Sequence, residues 1–179
     1  MLFVEVPDPP SLIPRAVAIA SLEAVEAVAG RNLSGRLGLK WPNDLLLDER
    51  KLSGVLAQRT TNGSIVVGIG LNVGWMPAGA ASLTSDLGVA VSPDVVLAHL
   101  LERLDERLTA GDVEQRYRAR LSTLGARVRV EMPGGGSISG RAIDLDHEGR
   151  LVLDADGSDS DAGIVTLDVG DIVHLRPLG

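Results

Sequence analysis

Helical periodicity stops at Leu124, and that break constrains the fold of the 179-residue chain more than any other feature. Ahead of it, Ser11 stands where a helix is capped. Leu12, Ala16, Ile19, Ala20 and Ala27 then recur at helical spacing, and Gly30 sits where a helix ends. Ser92-Pro93-Asp94 marks a second start, a cap with Pro in the first turn. Val95 to Leu108 keeps the helical period, Gly111 interrupts it, and Val113 to Leu121 resumes it. Behind the break, Gly125 to Gly179 shows no such pattern. Short runs predict strands over Arg127–Met132, Ser137–Leu145, Leu151–Ala155, Gly163–Leu167 and Asp171–Arg176, parted by Gly-rich turns. Five short strands in so small a segment predict a small barrel. The chain therefore divides into residues 1–123 and 124–179.

The first part is not all helix. Leu2 to Val6 alternates like a strand, ended by Pro7, Pro9 and Pro10. Leu37–Trp41, Leu52–Gln58 and Ser64–Val73 also read as strands, with the short apolar run Leu45–Leu47 between the first two. Asp48 to Lys51 suits a turn, and Thr60-Thr61-Asn62-Gly63 carries the Asn-Gly hairpin signal. The expectation is an α+β fold, about three antiparallel strands forming a mixed or antiparallel sheet with packed helices.

Charge and composition exclude several functions. The net charge of −7 argues against nucleic acid as a partner, since phosphate binding needs a basic face. Without Cys there is neither a disulfide framework nor a thiolate metal site, and His99, His147 and His174 show no metal-ligand spacing. No apolar run reaches the length of a membrane span, and Met1 to Glu5 is unlike a signal peptide. A cytoplasmic protein with no membrane partner follows. Asp154 to Asp161 places four Asp among Gly and Ser, and reads as a solvated hairpin tip because no Glu completes a calcium loop.

Of the 17 basic residues only two are Lys, Lys40 and Lys51, and both fall in one dense stretch. Arg is a planar fork, whereas Lys is a compact charge on a thin stem. Lys40 leads into a Pro42 corner that presents Asn43, a donor and acceptor, and Asp44, a hard oxygen suited to Mg²⁺. Lys51 opens the next strand, and Gly54 removes a side chain three residues later. In Gly68-Ile69-Gly70-Leu71-Asn72, alternation puts Gly68, Gly70 and Asn72 on one face. Two glycines on one strand face weaken it by roughly 0.5–1 kcal/mol each, a cost that a flat ligand in the vacated volume would explain. It is not a dinucleotide loop, because the third glycine and a following helix start are absent. Each piece alone is ordinary: Pro-Asn-Asp is a common turn, and Gly-x-Gly in a strand is often a bulge. Together they form a set for a phosphorylated ligand.

Lys40-Trp41-Pro42-Asn43-Asp44, then Lys51-Leu52-Ser53-Gly54-Val55-Leu56, then Val67-Gly68-Ile69-Gly70-Leu71-Asn72-Val73 resemble the biotin–protein ligases. The resemblance covers essentially the whole chain. It implies a class II synthetase-like fold, incomplete at its front, with an SH3-like barrel as the C-terminal domain. It also implies ATP and biotin as substrates, Mg²⁺, and a carboxylase's biotin carboxyl carrier domain as the acceptor; a homodimer is compatible with it. By the match, catalytic Lys51 meets the biotin carboxylate, with Gly54 and Gly68 flooring the biotin slot. Lys40, Asn43, Asp44, Gly70 and Asn72 serve the nucleotide, and Asp44 the magnesium. The family's Ser/Thr-rich motif and Arg/Gly-rich loop, expected ahead of Leu2, are not found, so weak or no adenylate synthesis by this chain is the expectation. A non-catalytic remnant that binds biotin, adenylate or a carboxylase is the alternative.

Overall fold

The computed structural model describes residues 7, 9–156, 163–168 and 171–174. The strand expected over Leu2–Val6, most of the tip of the acidic hairpin, and the end of the last expected strand lie outside the described residues. Two compact units form: Met1–Leu39 with Asn43–Arg120, and Lys40–Pro42 with Leu121–Gly179.

In the first unit, helix α1 (Leu12–Ala29) is buried on nearly every side. A helix apolar all round belongs in a core. Ala16, Ala20 and Ala24 have no exposed surface, and Ile19, Leu22 and Val25 are sealed as completely. Around α1 pack α3 (Pro93–Ala110), α4 (Val113–Arg120) and two strands, β2 (Asp44–Leu47) and β3 (Arg50–Arg59). The short α2 (Leu83–Leu87) lies between sheet and α3 in the chain. Charges reinforce the helices. Arg15 of α1 is buried and ion-paired with Glu114 of α4, while Glu23 meets Arg107 at 3.4 Å and Arg116 at 3.5 Å. Burial raises the Glu23 carboxyl above its ordinary value despite those arginines.

The helices end at Gly30 and Gly111 as expected, but the side-chain caps at two of their starts depart from the sequence reading. Ser11 takes helical backbone angles and makes no cap bond; its hydroxyl and carbonyl instead accept from the Arg15 guanidinium at 2.7 and 3.0 Å. A competing charged donor has taken the cap oxygen. Ser92 makes no cap bond either. A side-chain cap does form at Ser82, whose hydroxyl accepts from the Ser85 N–H while the Asp86 carboxylate accepts from the Ser82 N–H.

The sheet of this unit has four described strands in the order β1-β2-β3-β4, one more than expected, with β1 at Leu37–Lys40 and β4 at Ile65–Leu71. The extra strand is the Leu45–Leu47 run, extended by Asp44. Asp48 and Glu49, both at positive φ, make the two-residue turn that joins β2 to β3. The Asn62-Gly63 turn puts only Gly63 at positive φ, so it is a type I turn closed by a left-handed glycine rather than type I′.

In the second unit, β5 (Arg127–Glu131), β6 (Ser137–Leu145), β7 (Leu151–Ala155), β8 (Ile164–Leu167) and β9 (Asp171–His174) run antiparallel in the order β8-β7-β6-β5-β9. The last strand returns to pair with the first, as in a small SH3-like fold. Val128, Val130, Ala142, Leu145, Leu151 and Leu153 fill its core at 2% exposure or less. Lys40–Pro42 belongs with this unit. The Trp41 indole N–H donates to the Gly149 carbonyl and its backbone N–H to Thr123 Oγ1, each at 3.0 Å, and the ring is buried.

Candidate functional site

A β-bulge shapes the site. Asp44 pairs with Gly54 and Leu45 with Ser53, but Leu46 pairs with Lys51, so Leu52 is the extra residue of β3. Strict alternation would send Lys51 to the face of Ser53 and Val55. The bulge shifts the phase by one, and bulges re-aim side chains in this way. The Lys51 stem consequently lies over Gly54: a Cβ built at position 54 would meet Lys51 Cε and Nζ at 3.2 Å and Asp44 Oδ1 at 3.5 Å. Gly54 thus makes room for an ion pair, Lys51 Nζ to Asp44 Oδ1 at 2.5 Å. The Asp44 side chain is mostly buried, and its Oδ1, sealed from solvent, has this ion pair but no hydrogen bond; the Lys51 side chain is 55% exposed.

From this pair an open face runs along β3 and β4. Gly54 pairs with Gly70 and Leu56 with Gly68, which puts the three glycines on one face. A Cβ at Gly70 would meet nothing within 4 Å, and one at Gly68 only the Leu56 carbonyl at 3.9 Å. The floor is therefore flat and bare. Leu56, 70% exposed, and Val66, 58% exposed, give it an apolar far end. The opposite face carries Ser53 and Val55, both buried.

A loop closes the near end. Asn72 Nδ2 donates to the Ala81 carbonyl at 2.9 Å and the Lys51 carbonyl at 3.4 Å. The backbone repeats the fastening, with Asn72 N to Leu52 O, Ala81 N to Lys51 O and Leu83 N to Asn72 O. Arg50 adds an ion pair to Asp86, whose carboxyl is held below its usual range by the Ser82 N–H and then by Arg50. Trp75 stands 78% exposed in this loop, a residue the sequence reading passed over. An aromatic just past a Gly-x-Gly-x-Asn strand end was the available signal.

Asp44, Lys51, Gly54, Gly68 and Gly70 thus share one surface. Asn72 fastens its edge through the carboxamide. Asn43 adjoins it along the chain, its carbonyl accepting from the Val55 N–H at 2.8 Å. Lys40 belongs with the C-terminal unit. Behind Asp44, burial raises the Tyr117 hydroxyl pKa well above its ordinary value and keeps the group neutral; Arg15, Glu114 and Asp44 are its charged neighbours. Chemically, the surface offers one point cation at the end of a flat, apolar-ended slot, suited to an elongated acid.

Magnesium does not fit these residues as a standing site. Among the described residues no three acidic or His side chains converge, and the buried Asp44 oxygen already faces an ammonium. Mg²⁺ requires an octahedral set of oxygens.

The chain is similar to known proteins along most of its length. The model of the biotin/lipoate A/B protein ligase family matches residues 1–75, and that of the biotin protein ligase C terminal domain matches residues 123–175. The chain is similar to a biotin–acetyl-CoA-carboxylase ligase of Mycobacterium tuberculosis, 42% identical over 149 residues, covering 78% of this chain and 53% of that protein. One from Paracoccus denitrificans is 30% identical over 164 residues, covering 77% and 68%. The chain spans about half the length of the mycobacterial relative. Among solved structures, the Aquifex aeolicus biotin protein ligase in complex with biotin and ATP matches with a TM-score of 0.72 at 25% identity, over 92% of this chain and 71% of that one.

Proposed function

The chain belongs to the biotin/lipoate A/B protein ligase family, and from that premise we propose that it carries the biotin-activating surface of a biotin–protein ligase. Two steps make up the reaction. A biotin carboxylate oxygen attacks the α-phosphorus of ATP; the new P–O bond gives biotinyl-5′-adenylate, and the α–β bridge breaks to release pyrophosphate. A lysine amine of a carboxylase's biotin carboxyl carrier domain then attacks the acyl carbon, losing a proton as AMP departs with the bonding pair.

The observation that carries this reading is the bulge-directed Lys51 ammonium at the end of the bare Gly54–Gly70–Gly68 floor. A carboxylate laid on that floor meets one cation, and the same cation offsets charge gathering on the acyl-phosphate oxygens. Leu56 and Val66 receive the apolar body of the ligand. Asn43 and Gly70 border the nucleotide end. Asn72 contributes by holding the loop, and Lys40 is assigned the nucleotide by the motif alone. Magnesium would arrive held by the ATP phosphates, which supply the oxygens the chain lacks. Among the described residues no helix is long and apolar enough to cross a membrane, which accords with a cytoplasmic site of action.

The test is titration calorimetry of this chain with biotin, joined to biotin-dependent exchange of pyrophosphate into ATP by the native protein. Lys51→Arg should abolish exchange, since a planar fork does not replace a point charge in a slot built around Lys. Unchanged exchange in that variant, or no biotin binding by the parent, would sink the reading.

A further inference from the structure

The sequence pattern assigned Asp44 to magnesium. We propose instead that Asp44 is the positioning residue for Lys51, and that it is not a metal ligand. The inference deepens the proposed function and rests on it for the identity of the anion that Lys51 meets; the pairing itself is a property of the chain.

Four observations converge. Asp44 and Gly54 are direct partners across β2 and β3, so the carboxylate rises beside the one residue with no side chain. The bulge at Leu52 turns Lys51 onto that face, and its stem fills the space over Gly54. Asp44 Oδ1 is sealed from solvent with the ammonium at 2.5 Å as its contact. Nothing else in the described structure restrains the Lys51 head: its side chain is 55% exposed and would otherwise sweep through many rotamers. A half-exposed lysine is useful as a point charge only if something fixes the point. A buried carboxylate does so, because its charge draws the ammonium to one place, at 2.5 Å beside Gly54. A dication brought to the same oxygen would meet the ammonium already there, and among the described residues no group of three acidic or His side chains completes a site.

The chain's two lysines make the test direct. With ¹³Cε/¹⁵Nζ-labelled lysine the protein gives two side-chain signals, assigned by their loss in Lys51→Arg and Lys40→Arg. Asp44→Asn should move the Lys51 signal to the position of a freely rotating lysine and leave Lys40 in place. Titration with Mn²⁺ alone should broaden Lys51 no more than Lys40. In the native protein, Asp44→Asn should lower kcat/KM for biotin about tenfold, the scale of one lost charge-assisted contact, while the half-saturating Mg²⁺ concentration stays within about twofold. If Asp44→Asn does not fold, Gly54→Ala presses on the same stem and should shift the same signal. An unmoved Lys51 signal in the folded variants would overturn the proposal. So would Mn²⁺ broadening that selects Lys51 and disappears in Asp44→Asn. Absence of biotin binding by the parent would sink the ligase reading instead and leave the lysine spectrum to decide the pairing.

Discussion

Asn72 reaches across the mouth of its loop to Ala81: its Nδ2 donates to the Ala81 carbonyl at 2.9 Å, and Ala81 in turn donates its N–H to the carbonyl of Lys51. The side chain therefore ties the segment past β4 to the strand bearing the site's cation. Its loss leaves the Ala81 carbonyl without this donor in a buried residue, a cost of about 1–3 kcal/mol. Asn72→Ala should lower stability by about that amount. It should also speed hydrogen exchange at Ala81, Leu83 and Thr84, whose N–H groups close the loop. Equal exchange in parent and variant would remove Asn72 from this role.

The glycines of the open face separate a ligand's needs from the fold's. A methyl at Gly70 would meet nothing within 4 Å and the residue is not at positive φ. Replacing Gly by Ala in a strand at compatible angles stabilises by roughly 0.4–1 kcal/mol. Gly70→Ala should thus melt no lower than the parent while binding biotin and ATP at least about tenfold more weakly, because the new methyl stands where the ligand lies. Parallel melting curves and calorimetric titrations check both halves. Undiminished binding would mean that the ligand does not use this floor.

Much of this was legible before any coordinates. The five C-terminal strands, the helix ending at Ala29 and the shared face of Gly68 and Gly70 follow from period and from glycine chemistry. What was hidden depends on contacts distant in sequence. Arg15 takes the cap oxygen of Ser11 only because α4 brings Glu114 alongside. Lys51 meets Asp44 only because Leu52 bulges, and period-two counting has no term for a residue that two strands disagree about. The pairing of Asp44 with Lys51 was equally hidden, since its partner lies seven positions away on the next strand. Trp41, quoted with the motif but given no ligand role, is buried and spends its indole N–H on the Gly149 carbonyl.

Ser53 carries a removable cost. It is 2% exposed, and its hydroxyl has no hydrogen-bond partner. A buried polar group left unpaired costs about 1–3 kcal/mol, and Ala fills nearly the same volume. Ser53→Ala should raise the urea midpoint by the equivalent of about 1 kcal/mol with an unchanged slope. A lower midpoint would show that the hydroxyl is satisfied in solution.

Acid should destabilise the first unit in a defined window. The Arg36 guanidinium holds the Asp48 carboxyl below its ordinary value; hydrogen bonding from the Ser82 N–H and then Arg50 lowers Asp86; Arg116 lowers Asp112. A carboxyl with a depressed folded pKa contributes stability above its unfolded value, near 4, and loses it as pH falls through the lower folded value. Glu23, raised by burial, has the opposite sign: its contribution is present at low pH and is lost as pH rises through its folded value. Urea midpoints should therefore drop below about pH 4, and Asp86→Asn should make that drop shallower. An identical acid slope in the variant would detach Asp86 from the effect.

The second unit has its own fixed point at Gly140. It pairs with Ala155, and a Cβ there would fall 2.3 Å from the Asp154 carbonyl oxygen and 2.8 Å from the Ala155 Cα. Both obstacles are backbone, so no rotamer change relieves the clash, and β6 and β7 must part. Overpacking of this kind costs about 1–3 kcal/mol, occasionally more. Gly140→Ala should destabilise the unit by at least that amount, read as lost amide protection along β6 and β7. Gly134, with nothing within 4 Å and no positive φ, supplies the control, and its Ala variant should leave the same amides unchanged. If Gly140→Ala melts with the parent, β6 and β7 do not pair Gly140 with Ala155 but sit one residue out of that register. A one-residue slip is the change that would carry position 140 to the other face of the sheet and free it from the Asp154 carbonyl.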